Sequence, residues 1–564
     1  MPEDADPRSI TGREIALLSA GSLALACAVF WPLPLNLASV FPRDLGDPIV
    51  QAWQVAWGGH ALASQPLDFF QANQFWPLKG TLAFSDALIG YAPAGLIGEG
   101  VEAATIRYNL LFLFAYALAF CGAYLLAREL KLRPAAAAIA GAAFAYAPWR
   151  LEQDGHLHVI SSGGIPLALF LLIRGYRKSC GWTVLAGWVV AAWQVSIGFT
   201  LGLQLLYLLL IAGAIAAIWV WRNRTERMPA SGPILATIAG GLILVVAAVG
   251  LSVPYQRVLS DHPEAERSLE RVAKGSGPLA EFVAAPENNW IWGSVTKSNR
   301  ENHLNSIPEQ TLFPGLAIFL LAAAGLAASV FPRRLRIGLA AVALLLMLLS
   351  LGVRADGIGR YLPYRSLYEF APGWQGVRTP GRLNTLTSLV LALLAAAGAQ
   401  AVIQSLAKRA PKLPPSGAAA ACSVVLVALI AVEFSGEVYP SAPKAPAGQT
   451  GIAQPQLHLP ITIAGNRRYV YWSTDGFPKI VNGRASIDPA EFKQVAREAA
   501  TFPSDESIAA LRRRGIRSVV LHPYLLPGTA WADAGSEPPP IGVSRRATGD
   551  LVVYDLSAGA SGER

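Results

Sequence analysis

The residues able to do chemistry gather between apolar stretches. Asp44 and Asp47 stand in Phe41-Pro-Arg-Asp-Leu-Gly-Asp-Pro48, just beyond the first apolar run, and Ile49 to Leu62 then reads as an amphipathic helix with Trp53 and Trp57 four apart. Such a helix is expected to lie in a membrane interface, aromatic face in the headgroups, holding the two carboxylates at the surface. Asp47 is a candidate catalytic carboxylate. Asp47-Pro48 also has the form of a helix N-cap followed by proline, and the two roles are compatible. A second segment, Trp149 to His158, packs Glu152, Asp154, His156 and His158 into ten residues. Asp154 is the second acid or base candidate there, and His156 and His158 could bind a cation, although two alternating histidines are a weak metal signal. Pro286 to Gly293 contributes Glu287, Trp290 and Trp292, and Glu309 precedes Leu312-Phe-Pro-Gly315. The tryptophans read as interfacial belt residues or as a carbohydrate platform. Arg354, Arg360, Arg365, Arg378 and Arg382 follow. Their planar forks suit phosphate oxygens, and they suit the acids of neighbouring loops equally well.

What must position these groups is a membrane. Of 564 residues, 53% are hydrophobic and 15% charged, against about 25% charged in a soluble protein. About eleven apolar runs are long enough to be spans, near residues 14–38, 107–127, 134–148, 158–173, 181–195, 199–221, 232–252, 311–331, 336–353, 384–405 and 416–433. The net charge of +9 sits mostly in short clusters between runs: Arg128, Lys131 and Arg133; Arg174, Arg177 and Lys178; Arg222, Arg224 and Arg227; Arg333, Arg334 and Arg336; Lys408, Arg409 and Lys412. These share one phase with Arg8 and Arg13, so the N-terminus is expected in the cytoplasm and the long loops outside. That pattern argues against nucleic acid as a partner. Cys27, Cys121, Cys180 and Cys422 have no metal-ligand or CxxC spacing. No cofactor is called for, with a divalent metal at the histidine pair as the one candidate.

After Glu433 the chain becomes a Pro-rich linker and then a soluble pattern. Arg468 to Trp472, Ser518 to His522 and Leu551 to Tyr554 read as strands, and Pro489 to Ala500 and Ser504 to Arg514 as helices. The expected organisation is a polytopic α-helical membrane domain over 1–435, a linker over 436–460 and a small extracytoplasmic α/β domain over 461–564. No Gly-rich phosphate loop, nucleophile elbow or HExxH is present.

With these features the sequence resembles the large-loop membrane glycosyltransferases of the GT-C class. More closely it is similar to a bacterial family related to the YfhO-like membrane proteins, through Gly46 to Leu62, Tyr146 to His156, Pro286 to Gly293, Leu312 to Gly315, Pro372 to Arg382 and Ser473 to Ser486. The resemblance implies a polyprenyl-phosphate sugar donor, inversion at the anomeric carbon, and transfer to a glycan, lipid or protein acceptor on the outer face of the bacterial inner membrane. It assigns Asp47 as the first-loop acid and Asp154 as a second acid. Arg378 and Arg382 would then hold the donor phosphate, and His156, Glu287, Trp290 and Glu309 would contact sugar or acceptor. A lipid-linked saccharide transporter or flippase would show internal repeats and a charged path, neither of which is visible. A non-catalytic envelope scaffold would not need so many acids and arginines in the loops.

Overall fold

The computed structural model describes residues 9–223, 230–304, 307–353, 361–409, 415–434 and 436–557. Arg8, Arg224, Arg227, Arg354, Arg360 and Lys412 lie outside the described residues. The long helices of the first three quarters of the chain are α1 (Gly12–Val29), α2 (Asp47–Ser64), α3 (Gly100–Glu129), α4 (Pro134–Ala145), α5 (Gly164–Arg177), α6 (Gly181–Ile197), α7 (Phe199–Arg222), α8 (Ser231–Asp261), α9 (Leu316–Ala327), α10 (Arg333–Ser350), α11 (Asn384–Arg409) and α12 (Pro415–Val432). All except α2 fall on the apolar runs. Six helical stretches among the described residues are long and apolar enough to cross a membrane: Gly12–Val29, Gly100–Glu129, Leu157–Arg177, Phe199–Arg222, Ser231–Asp261 and Pro380–Leu406. The protein is mostly helical (64%) with one small sheet, and it is a multi-pass membrane protein.

The chain divides into two compact units. The first comprises Met1–Leu35, Leu111–Gly250 and Glu266–Val438. Small residues let its helices approach closely, since lipid tails give apolar side chains little reason to prefer one another and backbone packing has to supply the attraction. α9 and α11 meet at Gly325 and Gly398: a β-carbon on either would stand 2.0 Å from a carbonyl oxygen of the other helix. Ion pairs gather the ends of three helices. Arg128 binds Glu14 at 2.6 Å, and the fully buried Glu129 carboxylate accepts from Arg174 at 3.2 Å and from Arg177.

The second unit comprises Asn36–Leu110, Leu251–Ala265 and Tyr439–Arg564. Its four-stranded sheet has β1 (Gln456–Leu459), β2 (Ser518–Leu521), β3 (Ser544–Thr548) and β4 (Leu551–Asp555) in the order β1-β2-β4-β3, with only the β1–β2 pair parallel. Three helices accompany it, α13 (Ile463–Trp472), α14 (Ala490–Glu498) and α15 (Asp505–Arg513). Leu457, Leu459, Val519, Leu521, Leu511, Phe502 and Tyr554 form the core. The expected helices near 489–500 and 504–514, and the strands at 518 and 551, are present.

Arg468 to Trp472, expected as a strand, is the second half of α13. Thr462 caps that helix by accepting from Gly465 N at 2.9 Å. The aromatic set that suggested a strand is instead used in a buried stack, in which His522 packs on Tyr469 at 4.6 Å and on Trp472 at 5.4 Å between ring centres. Tertiary burial overrides strand propensity here. β1 and β3 were not anticipated.

Helix α2 also differs from expectation. It is buried along nearly its whole length, and Trp53 and Trp57 pack within the protein rather than presenting a face to headgroups. Trp53 donates to Asn73 Oδ1 at 3.0 Å and Trp57 to the Phe69 carbonyl at 3.0 Å. Gly59 and Gly95 permit close contact with the 3₁₀ segment Ile89–Leu96, since a β-carbon on either would fall 2.0–2.1 Å from the other strand of chain.

Candidate active site

Within the second unit, the Asp44–Asp47 turn is held from both sides. The Asp44 carboxylate accepts from Gly46 N at 2.6 Å, closing the turn, and Gly46 rather than Asp47 is the N-cap of α2. Asp47 is the first helical residue. The helix N-terminus favours a carboxylate at that place. Its side chain remains 46% exposed, with Arg467 Nη2 of α13 at 4.0 Å. Arg467 was not singled out in the sequence, because α13 was read there as a strand.

The Ser473 to Ser486 motif fixes the rest of the first loop. Asn73 donates to Ser473 Oγ at 3.0 Å and to the Pro478 carbonyl at 2.8 Å, and the chain on either side pairs through Phe75 N to Asn482 O at 3.1 Å and Ile480 N to Asn73 O at 2.8 Å. Asn482 ties this segment to β1 by accepting from His458 N at 2.7 Å. The motif is thus a clasp that sets the acid turn against α13.

Within the first unit, the Trp149 to His158 segment is not a solvated loop. It forms two short helical turns, Pro148–Leu151 and Leu157–Ile160, and its acids are buried. Asp154 is fully buried and accepts from the Tyr116 hydroxyl. Arg150, 1% exposed, donates to Ser162 Oγ at 2.6 Å and to the Ile160 carbonyl. His156 lies beside His158, ring centres 5.8 Å apart.

Arg382 makes the fork-on-fork pair that its geometry favours, but with protein: Nε and Nη2 donate to Glu309 at 3.2 and 2.6 Å. Its Nη1 is 2.9 Å from His158 Nε2, which must be the acceptor because guanidinium has no lone pair to offer. Burial alone would raise the Glu309 pKa, but the Arg382 charge, with His156 and Arg378 behind it, carries it down to about 2. Arg378 itself is exposed.

Glu287 is exposed, and Trp290 is 68% exposed with its backbone N donating to the Phe434 carbonyl at 3.1 Å. Trp292 is tied by its indole N to Glu433 Oε1 at 2.8 Å, and the same carboxylate accepts from Leu316 N at 2.9 Å. Glu433 therefore joins the Pro286 to Gly293 motif to the start of α9. Its place at the end of an apolar run gave no sign of this in the sequence.

The geometry thus brings Asp44, Asp47 and Arg467 together in one unit, and Asp154, His156, His158, Glu309 and Arg382 in the other. Glu287 and Trp290 join neither cluster. Among the described residues one further group has metal-ligand geometry, His262, Glu264 and Glu491 in the second unit, with Nδ1 at 3.6 and 4.0 Å from the two carboxylates.

No protein-family model and no curated protein sequence matches the chain. Among solved structures it is similar to the arabinofuranosyltransferase AftD from Mycobacteria, with TM-score 0.55 and 17% identity over 97% of this chain and 42% of that chain. It is also similar to the archaeal oligosaccharyltransferase AglB from Archaeoglobus fulgidus, at TM-score 0.47 and 14% identity over 90% and 69% of the two chains. ArnT from Cupriavidus metallidurans, in a structure bound to undecaprenyl phosphate, gives TM-score 0.40 and 13% identity over 97% and 99%. The chain thus spans about two fifths of AftD, whose likeness establishes a shared fold, in agreement with the GT-C resemblance of the loop motifs, while no matching family supports the YfhO-like relationship.

Proposed function

We propose that the protein is an inverting membrane glycosyltransferase that takes its sugar from a polyprenyl phosphate, with Asp47 as general base. The observation that carries this reading is the Asp47 carboxylate itself. It is half-exposed on a turn closed by Asp44, at the start of a buried helix, with a guanidinium 4.0 Å away to hold its charge and orientation. In the reaction Asp47 takes the proton of an acceptor hydroxyl. The hydroxyl oxygen bonds to the anomeric carbon as the bond from that carbon to the phosphate oxygen breaks, and the electron pair leaves on the phosphate. Phosphate needs little protonation to depart, so a base and cations suffice. The fold shared with AftD supports transferase chemistry, and exposed Arg378 is the cation assigned to the donor phosphate. Arg382, engaged by Glu309 and His158, positions the segment that carries Arg378.

The finer architecture belongs to the same reading. About eleven spans are expected, the N-terminus is cytoplasmic, and Asp47 and the soluble domain after 461 face outward in an inner membrane. The clustering of Arg128, Arg174 and Arg177 around Glu14 and Glu129 supports a common side for these two loops and the start of α1.

The deciding experiment is transfer by the purified protein in proteoliposomes from a panel of polyprenyl-phosphate sugars to cell-envelope acceptors. Asp47→Asn should lower turnover by roughly 10²- to 10⁴-fold with unchanged insertion and melting. Normal turnover in that variant would remove Asp47 from the role.

A further inference from the structure

Beside the acid turn the second unit holds an open groove of about 620 Å³, lined in part by Leu45, Lys444, Arg468, Trp472, Tyr524 and Asp550. We propose that it seats an anionic saccharide, a pyranose bearing a carboxylate or phosphate, as the charged part of the acceptor. That this ligand is the acceptor rests on the transfer reaction proposed above, whereas its binding in the groove does not.

Position comes first. Leu45 lies between Asp44 and Gly46, so the groove opens at the turn that carries Asp47. Successive residues of a helix diverge by about 100°. α13 uses this divergence, sending Arg467 to Asp47 at 4.0 Å and the next residue, Arg468, to the groove. One helical turn therefore serves both the base and the proposed ligand.

Charge selects the ligand class. Arg468 and Lys444 have no hydrogen-bond or ion-pair partner among the described residues. The acid in the lining, Asp550, is already engaged, accepting from Ala447 N at 2.9 Å. The lining thus carries two cations without a partner against one carboxylate, and the arginine fork fits a carboxylate or phosphate.

Shape selects a sugar over a bare anion. Tyr524 is 53% exposed, with the Trp472 ring centre 6.4 Å from its own. The indole N–H of Trp472 is fixed to the Pro443 carbonyl at 3.0 Å, so the aromatic wall is rigid. An exposed phenol ring packs well on the C–H face of a pyranose. None of the lining residues belongs to a described helix long and apolar enough to cross a membrane.

The test is isothermal titration of the full chain in detergent with trigalacturonic acid, maltotriose and inorganic phosphate. Trigalacturonic acid should bind at least about tenfold more tightly than either other probe, and more weakly as salt is raised. Arg468→Ala and Lys444→Ala should each weaken it about tenfold, with Arg468→Lys recovering part of the loss. Tyr524→Ala should weaken it as well, and all four variants should melt as the wild type does. Equal affinity for maltotriose, equal affinity for phosphate, absence of binding, or unchanged affinity in the arginine and lysine variants would each overturn the proposal. A failure of the Asp47 assignment would appear in the turnover assay and leave this titration unaffected.

Discussion

Arg467 and Asp47 face each other at 4.0 Å although one opens the first buried helix and the other lies in the last quarter of the chain. The pair makes the acid turn depend on α13. If Arg467 orients the carboxylate, Arg467→Ala should lower kcat about tenfold with KM little changed, and Arg467→Lys should restore most of the rate. Equal losses in the alanine and lysine variants, accompanied by a lower melting temperature, would instead mark Arg467 as a packing residue.

Arg378 and Arg382 should separate cleanly. Arg382→Ala leaves the buried Glu309 carboxylate without its partner, which typically costs about 3 to 5 kcal/mol, so a marked drop in melting temperature is expected. Arg378→Ala should melt normally and bind polyprenyl phosphate more weakly, with Arg378→Lys intermediate because it keeps the charge and loses the fork. Unchanged donor affinity in Arg378→Ala would take this residue out of the donor site.

The buried His458–His522 pair, joined at 2.9 Å, should make the second unit sensitive to mild acid. Burial lowers the His458 pKa to about 3, so the folded protein keeps this ring neutral while the unfolded chain takes up a proton below about 6.5. Stability from this group is therefore full above pH 6.5 and declines as the pH falls toward 3. Glu309, with its pKa near 2, keeps its contribution above about pH 4.5 and loses it as the pH falls from there toward 2. Melting temperature measured from pH 7 to pH 5 should fall in the wild type and less steeply in His458→Gln. Identical slopes would exclude the pair as the source.

For topology, Lys131→Cys in a background free of the four native cysteines should react with an impermeant maleimide only from the cytoplasmic side. Lys131 follows the Arg128–Glu129 helix end, where three helix ends are tied by ion pairs. Labelling from the opposite side would invert the proposed orientation.

The helices of the apolar runs were legible because apolar length and basic flanks have few alternative meanings. So were α14, α15, β2 and β4, whose periodicity is clean. α13 was not, since Tyr-Val-Tyr-Trp favours strands locally and becomes helical through burial against His522 and the first loop. Asp47 could be named from sequence, but its partner could not, because a contact between residues 47 and 467 has no local signature. Arginine offered phosphate or carboxylate as partners, and at Arg382 the carboxylate of Glu309 is the one present.

The clasp between residues 73–76 and 473–482 also has a consequence for biogenesis. The acid turn is synthesised well before the helix that braces it and the segment that fastens it. Long-range closures of this kind complete late. A nascent chain already threaded into the bilayer would therefore hold Asp47 without Arg467 until the C-terminal segment had been delivered to the same side. A chain arrested before residue 482 would therefore lack both the brace and the fastening of the acid turn.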